Sequence, residues 1–130
     1  MTTATRTYID PPAAVGTERY WDAARNGKLM IMQCNGCGEA YHYPRPLCPH
    51  CFSEDTEWLE TAGTGVIYSY SVMRRADPPF AIGYVTLDEG PTLMTNFVDC
   101  DFEALAIGQP VRLAFVDTEG GYRLPVFTLA

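Results

Sequence analysis

Residues 32–51, MQCNGCGEAYHYPRPLCPHC, contain four of the five cysteines of this 130-residue chain. They form two pairs, Cys34 with Cys37 and Cys48 with Cys51, with two residues inside each pair and ten between the pairs. Two intervening residues let both sulfurs of a pair reach one metal ion, at about 2.3 Å for zinc. Ten further residues allow a hairpin to bring the second pair to the opposite side. The spacing therefore predicts one structural zinc ion per chain, because four sulfurs leave no open coordination position.

Two disulfides or a rubredoxin-like iron site would use the same four sulfurs. The N-terminal stretch, MTTATRTYIDPPAAVG, lacks the basic and apolar segments of a secretory signal, which predicts a cytoplasmic protein with reduced thiols. An iron carrier needs no attached barrel, and nothing in the sequence indicates a redox partner. Zinc is therefore the favoured ion, and Gly36 and Gly38 are predicted to supply positive φ angles beside it. The residues between the pairs are expected to form an apolar collar: Tyr41, Tyr43, Pro44 and Pro46.

A short helix is predicted in TERYWDAARNGK, residues 17–28. Thr17 is placed to cap its N-terminus, and Gly27 to end it. Its apolar stripe consists of Tyr20, Ala23 and Ala24, with Trp21 on the flank. Three turns are too short to be stable alone, so the helix must pack either on its own domain or on a partner protein.

Alternating apolar residues predict strands on both sides of the cysteines. Two strands, in KLMIMQC and TEWLETAG, flank the predicted zinc ribbon. The first strand after residue 62 is expected to place Val66, Tyr68, Tyr70 and Val72 on one face and Ile67 on the other. Five strands follow residue 62, with one helical turn in DFEALAIG, in the segments TGVIYSYSVMRR, FAIGYVTLD, PTLMTNFVD, VRLAFV and LPVFTL.

This pattern predicts a mainly β protein that ends in a five-stranded OB-fold barrel. The expected organisation is an N-terminal arm and helix at residues 1–27, with residues 1–16 extended, a zinc ribbon at 28–61 and the barrel at 62–130.

The charge of the chain bears on nucleic-acid binding, a common function of OB folds and zinc ribbons. Tyr68, Tyr70 and Tyr84 are potential stacking platforms. The formal charge is −7, however, and residues 62–130 carry four basic side chains against eight acidic ones. Such a barrel lacks the basic groove that follows a phosphate backbone. A single-stranded nucleic-acid binder therefore remains the less favoured alternative, and no nucleic-acid partner is expected.

No set of residues in the sequence is expected to catalyse a reaction alone. His42 and His50 lie within the ribbon, where packing or surface roles are the favoured interpretation. The remaining thiol, Cys100, is flanked by Asp99 and Asp101, which raise a thiol pKa and disfavour a nucleophile. There is also no G-x-S-x-G elbow and no phosphate-binding P-loop. An independent small-molecule enzyme is therefore not favoured.

Over nearly its full length the chain resembles a family of OB-fold proteins with an N-terminal rubredoxin-like zinc ribbon that accompany acyl-CoA enzymes. One departure is Phe52, where the family often has glycine after the fourth cysteine. The matching segments occur in the order of the family: YWDAARNGKLMIMQCNGCG, YPRPLCPHC, TGVIYSYSV, PFAIGYVTLDEGP, TNFVDCD, IGQPVRLAF and LPVFT.

The resemblance implies a non-catalytic subunit of a thiolase-type complex that supports the partner and helps enclose the CoA thioester. Accessory subunits of acyl-CoA aldolases or hydratases are the alternative within the family. The implied hetero-oligomer would dock through the helix and ribbon, with Tyr20 and Trp21 as candidate anchors. Positive charge that could reach CoA phosphates lies in the same region, on Arg19, Arg25, Lys28 and Arg45.

Overall fold

The computed structural model describes residues 7–12 and 14–130. The extended arm expected at residues 1–16 therefore falls partly on residues 1–6 and 13, which lie outside the described residues. The elements are α1 Glu18–Arg25, β1 Met30–Cys34, β2 Ala40–Tyr41, β3 Thr56–Glu60, β4 Thr64–Met73, β5 Phe80–Leu87, β6 Thr92–Phe97, a 3-10 turn Phe102–Ala104, β7 Pro110–Asp117 and β8 Arg123–Leu129.

The predicted helix is confirmed, although its N-terminus is not capped as expected. Thr17 precedes α1, but its hydroxyl donates to the carbonyl of Ala14 at 2.7 Å and accepts no bond from the helix. At the other end Gly27 has a φ of 81°, and its amide donates to the carbonyl of Ala24 at 3.0 Å. A left-handed glycine is a common helix terminator, so this prediction is confirmed.

The strands form two sheets. A small antiparallel sheet with the order β2-β1-β3 carries the cysteine pairs at one end. The other five strands close into a barrel in the order β4-β5-β6-β8-β7, which confirms the predicted OB-type fold. The closing contact between β6 and β8 is parallel and pairs Phe97 with Phe127.

A β-bulge in β4 corrects the predicted alternation of that strand. The pairing with β5 shifts between Ile67 and Ser69, so that Tyr68 is the extra residue. As a result Val72 packs against the same core as Ile67, although the sequence placed them on opposite faces. A bulge changes the phase of a strand, which strict period-two reasoning cannot detect.

The main core connects the barrel to the helix and the small sheet. Its members are buried and come from α1, the segment around β1 and all five barrel strands. Because Leu29 and Ile31 belong to it, the small sheet is anchored directly on the barrel. The buried members are Tyr20, Leu29, Ile31, Ile67, Ala81, Val85, Leu87, Leu93, Phe97, Leu105, Val111 and Phe127.

Candidate metal centre

The four paired cysteines converge at the end of the small sheet. Their Sγ atoms all lie within 4.8 Å of one another. The Sγ atoms of Cys34 and Cys51 are 3.5 Å apart, and those of Cys37 and Cys48 are 3.7 Å apart. Four sulfurs at about 2.3 Å from a tetrahedral zinc would be separated by about 3.8 Å. The donor set therefore fits one zinc ion, as the spacing predicted, and would hold it with a closed coordination sphere.

Two similar knuckles present the cysteine pairs. In the first, the amide of Gly38 donates to the carbonyl of Cys34 at 3.0 Å; in the second, the amide of Phe52 donates to that of Cys48 at 2.8 Å. The residue after each pair has a positive φ, 82° at Gly38 and 65° at Phe52. The prediction is confirmed for Gly38 but wrong for Gly36, whose φ is not in the positive range.

Backbone amides stabilise thiolate charge at the buried ligands. The amides of Gly36 and Cys37 point at Cys34 Sγ, at 3.3 and 3.4 Å, and the amide of His50 points at Cys48 Sγ at 3.3 Å. The Cys37 amide lowers the pKa of the Cys34 thiol to about 7, and the Gly36 amide acts in the same direction. Thiolates are the form that binds zinc, so these amides favour metal binding at Cys34. At Cys37 and Cys51 a backbone amide also lowers the pKa, but burial and the neighbouring sulfurs together outweigh it and raise the pKa of both thiols.

The apolar shield around the sulfurs differs in part from the predicted collar. Tyr41 is buried beside Cys34 and Cys48, and its hydroxyl donates to the carbonyl of Arg45 at 2.9 Å. Tyr43 instead packs against the main core. Met32 of β1 and Trp58 of β3, neither of which was expected from the sequence, complete the shield. Trp58 pairs with Met32 across β1 and β3. The register of these strands would have identified Trp58, but the sequence does not specify that register.

The two candidate anchors on α1 have different surroundings. Tyr20 is only 6% exposed and lies in the main core, with its ring centroid 5.7 Å from that of His42 and 5.4 Å from that of Tyr43. Burial, with the nearby Tyr43 acting in the same direction, raises the pKa of Tyr20. Trp21 is half-buried and packs edge-on against Tyr20 at 4.7 Å and Tyr122 at 5.9 Å.

The four cations proposed for CoA are mostly engaged within the chain. Arg25 forms a 2.9 Å ion pair with Asp22, and Lys28 a 3.7 Å pair with Glu60. The Arg25 guanidinium also lies 4.7 Å from the ring centroid of Tyr122. The two others contact no carboxylate in the described part of the chain: Arg19 stacks 5.9 Å above Trp58, and Arg45 lines a cleft between the ribbon and the barrel.

The remaining titratable candidates lie outside the sulfur cluster. Among the described residues the cluster contains only the four cysteines, so neither histidine belongs to it. Burial lowers the pKa of His42 to about 4, and its Nδ1 has no hydrogen-bond partner within that part of the chain. Burial raises the pKa of Cys100, and Asp101 and Asp99 add to the rise, which confirms the direction expected from the sequence.

Two family models match the chain in sequence. One describes the rubredoxin-like zinc ribbon domain of ChsH2 and matches residues 21–57. The other describes the C-terminal OB-fold domain of ChsH2 and matches residues 58–124. The ribbon match contains all four cysteines and agrees with the zinc assignment, and the OB-fold match covers most of the barrel; the boundary between the two matches falls within β3.

The chain is also similar to individual proteins. It is 37% identical to a probable enoyl-CoA hydratase alpha subunit of Thermomonospora curvata, over 89% of this chain but only 38% of the relative. It is 32% identical to a DUF35 domain-containing scaffold protein of Methanocaldococcus jannaschii, over 67% of each. A solved structure titled Ltp2-ChsH2(DUF35) aldolase superposes with a TM-score of 0.81 at 34% identity, over 92% of this chain and 98% of that one.

No helix within the described residues is long and apolar enough to cross a membrane.

Proposed function

The chain belongs to the ChsH2 family, in which a rubredoxin-like zinc ribbon precedes an OB-fold domain, and on this premise we propose that it is a non-catalytic subunit of an acyl-CoA-processing complex in the cytoplasm. Its partner is a thiolase-type subunit that supplies the nucleophile and the acid–base groups. This chain supports the partner and helps enclose the CoA thioester.

The surroundings of Trp21 carry the proposal that the chain docks on a partner. The indole Nε1 is buried and has no hydrogen-bond partner among the described residues. The Trp21 side chain lines an open cavity of about 210 Å³ together with Arg25 and Tyr122. A buried N–H without an acceptor is uncommon in native protein structures. A carbonyl or carboxylate of the partner, seated in this cavity, would satisfy it.

Trp21 is also the residue type expected of an interface anchor. Tryptophan side chains that fill a pocket contribute heavily to binding energy. Tyr20, by contrast, is buried in the core of its own chain, so the docking proposal rests on Trp21 and not on Tyr20. The rings of Tyr20 and Trp21 make an edge-on contact, with their centroids 4.7 Å apart.

The partner proposal is tested with the catalytic subunit that co-purifies with the chain from its native source. We predict that Trp21→Ala weakens assembly by more than about 1 kcal/mol, because it removes the aromatic side chain that is proposed to anchor the partner. Trp21→Phe keeps an aromatic ring, although a smaller one, and removes the N–H. Compared with Trp21→Ala it should therefore retain much of the packing but not the hydrogen bond. Size-exclusion chromatography of co-expressed pairs and titration calorimetry measure the difference.

The matched control is Tyr84→Ala, which removes an exposed aromatic side chain from the outer face of β5. It should leave assembly unchanged, and all variants should retain one zinc per chain. A wild-type chain that elutes alone, beside a partner that is fully active without it, would refute the proposal.

The names of the relatives favour a second identity for the partner. One solved relative is titled an aldolase, and one sequence relative is named a hydratase alpha subunit. An aldolase or hydratase subunit is therefore the alternative to a thiolase. Assaying the native complex for thiolytic cleavage, retro-aldol cleavage and hydration of acyl-CoA substrates distinguishes the three.

A further inference from the structure

We propose that the groove at the turn between β4 and β5, here called the β4–β5 groove, binds an acyl chain that carries an anionic group. The groove has a volume of about 630 Å³, within the range of about 300–1,000 Å³ that is usual for small-molecule sites. It is lined by Val72, Met73, Arg74, Arg75, Ala76 and Phe80.

The apolar part of the groove is the end of a larger uncharged surface. Met73 and Phe80 are paired across β4 and β5, so their side chains leave the sheet on the same face. Further along that face, Tyr84 of β5 pairs with Met94 of β6, and both are exposed. The strands β4, β5 and β6 contain no Asp, Glu, Lys or Arg. An acyl chain could therefore extend from the groove along this face without meeting a charge.

The polar part of the groove is cationic, in a chain whose formal charge is −7. Arg74 and Arg75 follow Met73 directly and are both exposed. Arg74 forms an ion pair with Glu103, whereas Arg75 has no ion-pair partner within the described residues. Asp77 lies in the same turn but does not line the groove. The guanidinium of Arg75 is thus free to bind a carboxylate or phosphate in the two-pronged geometry that arginine favours.

Other cations are less suited to this role. Arg25 and Lys28 are already ion-paired, and Arg19 stacks on Trp58. The strongest competitor is Arg45, which lines a second apolar groove of about 370 Å³ beside Cys48 and Phe52. That groove is smaller than the β4–β5 groove.

The test uses the full-length, zinc-loaded chain labelled with ¹⁵N, titrated separately with octanoate, octanoyl-CoA and CoA. The use of a CoA ester as a ligand rests on the proposed function. The structural evidence for the groove does not depend on it. We expect octanoate or octanoyl-CoA to shift the backbone amide resonances of residues 72–77 and 80. Tighter binding of octanoate would identify the anionic group as a carboxylate, and tighter binding of octanoyl-CoA would identify it as a phosphate. CoA alone should bind more weakly, because it has no acyl chain to fill the apolar part.

Three charge reversals locate the anionic contact. Arg75→Glu should raise the dissociation constant about tenfold, since one charge-assisted contact is lost. Arg112→Glu makes the same change at an exposed barrel position outside the groove, and Arg45→Glu makes it in the competing groove. Both should change the constant by less than about twofold.

The proposal is overturned by any of three results. Shifts confined to residues 19–28 or 45–52 would place the ligand elsewhere. An equal effect of Arg75→Glu and Arg112→Glu would mean that only net charge matters, and CoA binding as tightly as octanoyl-CoA would remove the acyl contact. No catalytic partner is present in the titration, so these failures leave the assembly proposal unaffected.

Discussion

The zinc ribbon and the barrel are stabilised by different means. The barrel core is a continuous apolar cluster that includes fully buried Phe127, Val85 and Val111. The second core, at the cysteine end of the small sheet, has four buried members, Met32, Cys34, Tyr41 and Cys48, and two of these are zinc ligands. A segment with so little apolar surface to bury depends on its metal for folding, whereas the barrel does not.

The strand β1 joins the two cores. Its neighbouring residues Ile31 and Met32 point to opposite faces, and Ile31 lies in the main core while Met32 lies in the zinc core. The ribbon is therefore attached to the barrel by a strand that each core holds on one face. This arrangement predicts that damage to the zinc core loosens the sulfur end of the small sheet first and leaves the barrel folded.

The largest expected effect is that of removing the metal. Zinc binding contributes about 10–16 kcal/mol in small zinc domains, so Cys48→Ser should unfold the ribbon around the two knuckles. Amide exchange should then become rapid for β2 and the knuckles and stay slow for β5. Elemental analysis should give one zinc per wild-type chain and none for the variant.

The matched control is Cys100→Ser, which changes the one cysteine outside the cluster. It should retain zinc and lose less than about 1 kcal/mol of stability. A metal-free wild-type chain with four freely reactive thiols and an intact ribbon would refute the zinc assignment.

A cavity in the barrel should give the next largest effect and the opposite pattern. Phe127 is fully buried where β8 closes onto β6, so Phe127→Ala should lower the free energy of unfolding by about 3–5 kcal/mol. Urea denaturation measures this loss. Zinc content should remain one per folded chain, because the sulfurs lie in the other core; loss of zinc from the folded variant would show that the two cores are not separable.

The junction between the two cores should respond to pH through His42. Its half-buried imidazole packs against Tyr20 and Tyr43, and this partial burial lowers its pKa from 6.5 to about 4. Between these values the unfolded chain binds a proton that the native chain does not. The free energy of unfolding should therefore fall as the pH falls, by about 1.6 kcal/mol between pH 6.5 and 5.

His42→Phe keeps an aromatic ring in this cluster and cannot titrate, so its stability should depend less on pH than that of the wild type. Chemical denaturation at several pH values, in excess zinc, measures the two slopes. His50→Phe changes the exposed histidine and should retain the wild-type slope. Identical slopes in all three proteins would show that His42 is not the titrating group.

The smallest effect is expected at the second knuckle. Phe52 has a φ of 65° and a side chain that is 74% exposed, so it carries the backbone cost of a left-handed residue with little packing in return. Phe52→Gly should raise the melting temperature slightly, corresponding to less than about 1 kcal/mol, with zinc content unchanged. A clear loss of stability would indicate that the Phe52 ring has a packing role in the groove that it lines with Arg45.

Local signals in the sequence were sufficient for the helix, β1, β3 and the five barrel strands, but they missed the two-residue strand β2 and the phase of β4. The alternation of β4 was visible from Val66 to Met73, yet the bulge at Tyr68 reverses the faces of Tyr70 and Val72. A bulge depends on the pairing partner, and the partner lies on another strand. The same reason explains why Trp58 was missed in the zinc shield, since its place opposite Met32 follows only from the register of β1 and β3.

The sequence by itself determined the zinc ligands, the order of the strands and the barrel, because metal-ligand spacing and strand periodicity are short-range properties of the chain. Tertiary structure alone decided which surface residues are available for binding. Tyr20 is buried in the core. Within the described residues the indole N–H of Trp21 has no acceptor and Arg75, beside an apolar groove, has no ion-pair partner, whereas Arg25 and Lys28 are ion-paired. Burial and ion pairing depend on neighbours that are distant in the chain, and the sequence pattern does not encode those neighbours locally.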